Sequence, residues 1–228
     1  MAALHVLRVF TDEEGRWGNP LGVFVEGAEV AEAERLAIAA DLGFSETVFI
    51  DDAARGALGI FTPAAELAFA GHPLVGTAWL LASLGQAADV LRPPAGEVAV
   101  RREGEATFIA ADPAFSPPFD AVELDSPAAV DALDGIPADG GEVYAWAWTD
   151  EVAGDIRARS FAPAFGIPED EATGSAVLAL AARLGRKITV RQGGGSILEA
   201  HPLSDGRAEV GGRVALDEVR DYPLSPVS

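Results

Sequence analysis

The chain of 228 residues is long enough for one large domain or two small ones, and 49% apolar with 23% charged residues is a folded, globular composition. Against 16 Lys and Arg stand 36 Asp and Glu, a net charge of −20, which argues against nucleic acid and anionic membranes, because basic side chains grip both. With no cysteine, disulfides, thiolate catalysis and cysteine-ligated zinc are excluded.

The first ten residues have no basic region ahead of their apolar ones and no cleavage-site pattern, so no secretory leader is expected. No apolar run reaches the ~20 residues of a membrane span, and a cytoplasmic location is the expectation. Residues 5–10 and 21–25 read as strands around a loop holding Gly15 and Gly18-Asn19-Pro20. Residues 31–42 place Ala33, Leu36, Ala37 and Ala40 on one helix face. Gly43 is the natural stop, since glycine takes the left-handed conformation just past a helix end. Residues 47–51 and 59–62 read as strands. Residues 74–84 leave no polar face, so this helix must be buried all round; at about 16 Å it is too short to span a bilayer.

Residues 98–102 and 106–110 predict a hairpin around Glu103-Gly104. The proline-rich stretch 112–118 is the candidate boundary, dividing an N-terminal half (1–112) from a C-terminal half (113–228). Residues 127–133 predict a short helix ended by Gly135. Residues 143–148 and 156–161 alternate as strands, with Trp146 and Trp148 packing on one face. Residues 176–184 form a second apolar helix, and several short strands follow to about 219.

Two apolar helices flanked by strands suggest a duplication. Phe61-Thr-Pro63 precedes Gly76-Thr77-Ala78, and Phe161-Ala-Pro163 precedes Gly174-Ser175-Ala176. Two such halves would pack about a pseudo-twofold axis. His72 and Asp170 would then stand at equivalent places, each just before a helix, facing a cleft between the halves.

Several residues there could carry chemistry. His72, in Gly71-His72-Pro73, titrates near neutral pH and suits proton transfer; a capped histidine at a helix start is the alternative. Glu46 interrupts the apolar run 43–49, where desolvation would raise its pKa into the range of a general acid/base; alternatively it faces water on an edge strand. Asp170, within Glu169-Asp170-Glu171, either joins the site or complements a helix dipole. Gly76-Thr77 and Gly174-Ser175 would offer backbone N–H groups for a carboxylate at helix starts, or else simply pack closely. Glu66 reads as a structural hydrogen-bond partner, His5 and His201 as strand-end residues, and Gln192-Gly-Gly-Gly195 as a turn. No metal-binding spacing is visible.

Together these pieces resemble the phenazine-biosynthesis PhzF-like family of the diaminopimelate epimerase-like superfamily. The matching segments are Val9-Phe10-Thr11, Gly18-Asn19-Pro20, Phe44-Ser45-Glu46-Thr47, Phe61-Thr62-Pro63, Glu66-Leu67, Gly71-His72-Pro73, Gly76-Thr77-Ala78, Phe161-Ala162-Pro163 and residues 169–176. The resemblance implies an α+β fold of two pseudo-symmetric halves, each a barrel-like sheet round a central helix. It implies an isomerase with no metal or organic cofactor; the family's reaction moves a proton around the ring of trans-2,3-dihydro-3-hydroxyanthranilate. Glu46 matches the general acid/base, assisted by His72 and Asp170. Ser45, Gly71, Gly174 and Ser175 match positions that hold the substrate and its carboxylate. The chain is shorter than is usual for the family between Pro113 and Gly141, and Gly194-Gly195-Ser196 replaces an expected Gly-Arg-Pro-Ser.

The resulting expectation is an isomerase, acting on a small carboxylate and working as a homodimer. A non-catalytic carboxylate binder on the same scaffold, and a lyase or hydrolase using the same site, are the alternatives.

Overall fold

The computed structural model describes residues 1–135, 141–163 and 167–224. β1 (Ala2–Thr11) is followed by β2 (Asn19–Phe24), α1 (Glu32–Leu42), β3 (Glu46–Asp52), β4 (Ala57–Phe61), β5 (Glu66–Leu67), α2 (Gly71–Ser83), β6 (Val90–Leu91), β7 (Val98–Glu103) and β8 (Ala106–Ala111). Then come β9 (Asp120–Glu123), α3 (Pro127–Asp131), β10 (Val143–Asp150), β11 (Asp155–Ala162), β12 (Ile167–Asp170), α4 (Gly174–Leu184), β13 (Ile188–Gln192), β14 (Ser196–Pro202) and β15 (Ala208–Tyr222).

After β1 the order strand, helix, three strands, helix, three strands occurs twice. The pairing repeats with it. β2 runs parallel to β3, and β9 parallel to β10. β3–β4–β5 and β10–β11–β12 are antiparallel series. Where β11 runs parallel to β13, Ala57 of β4 makes a parallel bridge to Arg92, just past β6. The α+β duplication expected from the sequence is therefore present as topology.

The two halves are sewn together by β15. Its first residues lie between β8 and β14, and from Arg213 to Tyr222 it pairs with β1. Every strand of the described residues belongs to this one sheet. The sheet curls round α2 and α4. Leu74, Val75, Ala78 and Leu81 of α2 and Val177, Leu178, Leu180 and Ala181 of α4 share one continuous core. Each leucine or valine sealed there contributes about 1.5–3 kcal/mol, which is why both helices tolerate no polar face.

Some sequence expectations change. α2 begins at Gly71, a turn earlier than the apolar run suggests. Of the short strands expected in the tail, β13 and β14 are present, but the last is a single 15-residue strand, β15. Gln192 is not in a turn but ends β13, fully buried. His5 lies inside β1, whereas His201 does stand at the end of its strand, β14, and pairs with Glu209 at 3.2 Å. Trp146 and Trp148 do pack together, edge to face with centroids 5.2 Å apart. Among the described residues no helix is long and apolar enough to cross a membrane.

Candidate active site

α2 and α4 meet start to start. A Cβ on Gly71 would lie 2.7 Å from the carbonyl carbon of Gly174 and 2.8 Å from the Ser175 nitrogen. Only glycine permits that approach, because both colliding atoms are backbone and cannot rotate away. The meeting brings His72, in the first turn of α2, and Ser175, in the first turn of α4, to one place. β3 delivers Glu46 with Ser45 just ahead of it, β2 delivers Asn19, and β12 ends on Asp170.

Two expectations are corrected here. The residue that mirrors His72 is Ser175, not Asp170, since Asp170 closes a strand while His72 sits inside a helix. Gly76 and Thr77 are not at a helix start but in the second turn of α2. A Cβ at Gly76 would fall 2.6 Å from Leu21 Cδ2 and 2.8 Å from Val9 Cγ2, so that glycine lets the helix press against β1 and β2. The Thr77 hydroxyl is buried with no hydrogen-bond partner.

His72 Nε2 stands 3.3 Å from Glu46 Oε2. The two are misaligned for a hydrogen bond, and neither atom has another partner. Burial pushes the Glu46 carboxyl up to about 7, against a small downward pull from Ser45. Burial pushes the His72 imidazole down to about 4, although the Asp170 charge and a bond to the Pro20 backbone oppose it. At neutral pH the pair is thus a neutral imidazole beside a carboxyl poised between its two forms, and not a salt bridge. Asp170 is also raised, first by burial and then by the Glu46 charge.

Asn19 ties the groups together. Its Nδ2 donates to Asp170 Oδ1 at 2.6 Å and to the Ala172 carbonyl at 3.2 Å, and lies 3.4 Å from His72 Nδ1. Its Oδ1 accepts from the Ser45 hydroxyl at 3.5 Å. The Thr173 hydroxyl donates to the other Asp170 oxygen at 2.6 Å. Behind it, Gln192 Nε2 donates to the Asp170 carbonyl and to Thr173 Oγ1, both at 2.8 Å, while its Oε1 accepts from Tyr144 at 3.0 Å. Asn19, Thr173, Gln192 and Tyr144 were not singled out as site residues from the sequence. The Gly-Asn-Pro match was the available signal for Asn19. Of the acidic run, Glu169 pairs outward with Arg159 at 2.7 Å, and Glu171 accepts from Ser196 at 2.7 Å and from Gly194 N at 2.8 Å. Asp170 alone turns inward.

Glu46, Asp170, Thr173 and Ser175 border a cavity of about 200 Å³ whose remaining wall is mostly apolar. A larger cleft of about 660 Å³ runs past Asp12, Arg16, Glu105 and Arg213. It contains none of the candidate residues, and two of its arginines are already paired, Arg16 with Asp12 at 2.9 Å and Arg213 with Glu105 at 2.8 Å. The smaller cavity is where a buried carboxylate oxygen without a hydrogen bond, Glu46 Oε2, belongs to a residue of the lining. Glu66, by contrast, is exposed. Among the described residues no three His, Asp or Glu side chains are grouped to hold a metal ion.

An uncharacterized isomerase of Pseudomonas aeruginosa is 32% identical over 217 residues, covering 78% of this chain and 82% of that protein. Trans-2,3-dihydro-3-hydroxyanthranilate isomerase of Pseudomonas fluorescens is 42% identical over 64 residues, 27% of this chain and 23% of the enzyme's length. The chain thus spans under a quarter of that enzyme in the matched region. A Bacillus anthracis phenazine biosynthesis protein of the PhzF family shares the fold, with a TM-score of 0.79 at 17% identity over 98% of this chain and 99% of the other. The family model for phenazine biosynthesis-like proteins, PhzC-PhzF, matches residues 7–149 and 126–206. With that match over most of its length and a relative at 32% identity aligned over more than three quarters of both chains, the chain belongs to the PhzC-PhzF, phenazine biosynthesis-like, family.

Proposed function

We propose that the protein is a cofactor-independent isomerase that moves a proton on a small carboxylate-bearing substrate of the trans-2,3-dihydro-3-hydroxyanthranilate type. The observation that carries this reading is the pair Glu46 Oε2 and His72 Nε2, 3.3 Å apart, buried and without hydrogen bonds, with Glu46 lining a cavity. A structural carboxylate is hydrogen-bonded when buried; one with an oxygen left bare, and with its pKa pushed up to about 7, is poised to take and return a proton at neutral pH.

In this mechanism the Glu46 carboxylate removes a proton from a ring carbon, and the protonated Glu46 returns it at another carbon, so that no net charge is gained. His72, kept neutral, supports the carboxyl without trapping the proton. Asp170, oriented by Asn19 and Thr173, takes the substrate's polar groups. The backbone N–H groups of Gly71, Gly174 and Ser175, at the facing helix starts, receive the carboxylate. We place the division between the two halves at residues 112 and 113; the repeated element order, which restarts between β8 and β9, supports that boundary.

The test is proton NMR in deuterated water with trans-2,3-dihydro-3-hydroxyanthranilate. Wild type should isomerise or exchange it, and Glu46→Gln should lose at least 10²-fold in rate, the usual contribution of a general acid/base. Equal rates in the two proteins would refute the role of Glu46, and no reaction in wild type would refute the substrate type.

A further inference from the structure

The wall of the cavity facing the acids is built in part by the segment that joins the two halves. Asp112 caps a single turn, Pro113–Phe115, by accepting from Ala114 N at 2.9 Å. The Ser116 hydroxyl then donates to the Ser175 carbonyl at 3.0 Å, pinning the segment to the first turn of α4. The Phe115 ring lies against Phe69, centroids 6.0 Å apart. Both ends are fixed, Ala111 opposite Ala208 of β15 and Asp120 opposite Val143 of β10. The connector is therefore a held part of the site.

Phe115, Pro117 and Phe119 line the cavity with Leu67, Phe69 and Ile167. Among the described residues, Glu46 and Asp170 are the charged residues of the lining, and no Lys or Arg belongs to it. A charge turned toward the phenylalanines would lose its water and find no partner. A flat apolar ring would instead gain aromatic contact and cover Leu67, Phe115, Phe119 and Ile167, which are half-exposed.

We propose that the connector 113–119 is the specificity wall of the site, with Phe115 and Phe119 limiting the substrate to a single ring that carries no charge on the side facing them. The proposal rests on the isomerase reading only in taking this cavity as the place where substrate binds.

The experiment is titration calorimetry with two probes that carry the same neighbouring carboxylate and amino groups, anthranilate with one ring and 3-amino-2-naphthoate with two. Wild type should bind anthranilate at least tenfold tighter. Phe119→Ala and Phe115→Ala should narrow or reverse that ratio, mostly by gaining the larger probe. If an alanine variant does not fold, Phe119→Leu, which keeps an apolar side chain while shortening it, should narrow the ratio at least threefold. Equal affinities in wild type, no binding of either probe, or an unchanged ratio in the folded variants would overturn the proposal. Proton exchange in Glu46→Gln is read separately. A shifted probe ratio with exchange unaffected by Glu46→Gln would keep the wall and refute the acid/base role; exchange lost with the ratio unmoved would do the reverse.

Discussion

Burial moves Glu46 and His72 in opposite directions, and the folded protein bears the consequence at both ends of the pH range. Folded Glu46 holds its proton up to about 7, whereas an unfolded glutamate releases it near 4.5. Stability from this group is therefore full below about 4.5 and is lost as pH rises through 7, a loss of about 3 kcal/mol. Folded His72 stays neutral down to about 4, against 6.5 unfolded, so its contribution is full above 6.5 and lost as pH falls through 4. Between roughly 4.5 and 6.5 the two slopes oppose each other. Glu46→Gln removes one of them. Its stability relative to wild type should rise by about 2–3 kcal/mol between pH 5 and pH 8, read from urea midpoints at each pH. A difference that stays flat would mean that water reaches Glu46. Glu46 was legible because a lone carboxylate in an apolar run is conspicuous. Asn19 and Gln192 were not, because an amide acquires its role from its partners, and Asp170 is 151 residues from Asn19.

At the scale of elements, the two helix starts explain both a success and a failure of sequence reading. Both apolar helices were visible, since nothing but full burial accounts for their composition. The start of α2 was not. Neither helix has a side-chain cap, so the usual Ser, Thr or Asp signal has no counterpart at Ala70 or in the Thr173 side chain. Each start is set by the other helix lying against it. The two-residue strands β5 and β6 escaped for a similar reason, being defined by their neighbours. The contact itself is testable. Gly71→Ala puts a methyl group 2.7 Å from backbone that cannot yield, so the helices must part. The variant should be less stable by about 1–3 kcal/mol, measured by urea unfolding. It should also raise KM for a carboxylate substrate, because His72 and Ser175 move apart. Unchanged stability and KM would show that the two helix starts have slack.

For the whole molecule, the repeated halves suggest two units that melt separately, and the pairing argues otherwise. The core is continuous from α2 to α4, and β15 is a strand of both halves. Thermal unfolding should accordingly be one transition, with calorimetric and van't Hoff enthalpies equal. Two resolved peaks in a scanning calorimeter would show that the halves are independent. The duplication was readable from the sequence in its apolar helices and paired Phe-x-Pro segments. The closure by β15 was not, since the alternation of a strand does not name a partner some 200 residues away.

That closure also fixes an order of events during synthesis. β1 can pair with β2 as soon as both have left the ribosome, and such a hairpin forms in about 1–10 μs. Its other edge must wait for β15, because Thr11 lies opposite Arg213 and Ala2 opposite Tyr222. At roughly 5–20 residues per second, the ~200 residues between them take about 10–40 s to make. For that time Leu4, Leu7 and Val9, all fully buried at the end, lie on a strand with one open edge. The last long strand to be made shields the first, and a chain stalled before Arg213 carries an apolar edge that a chaperone or another nascent copy can occupy.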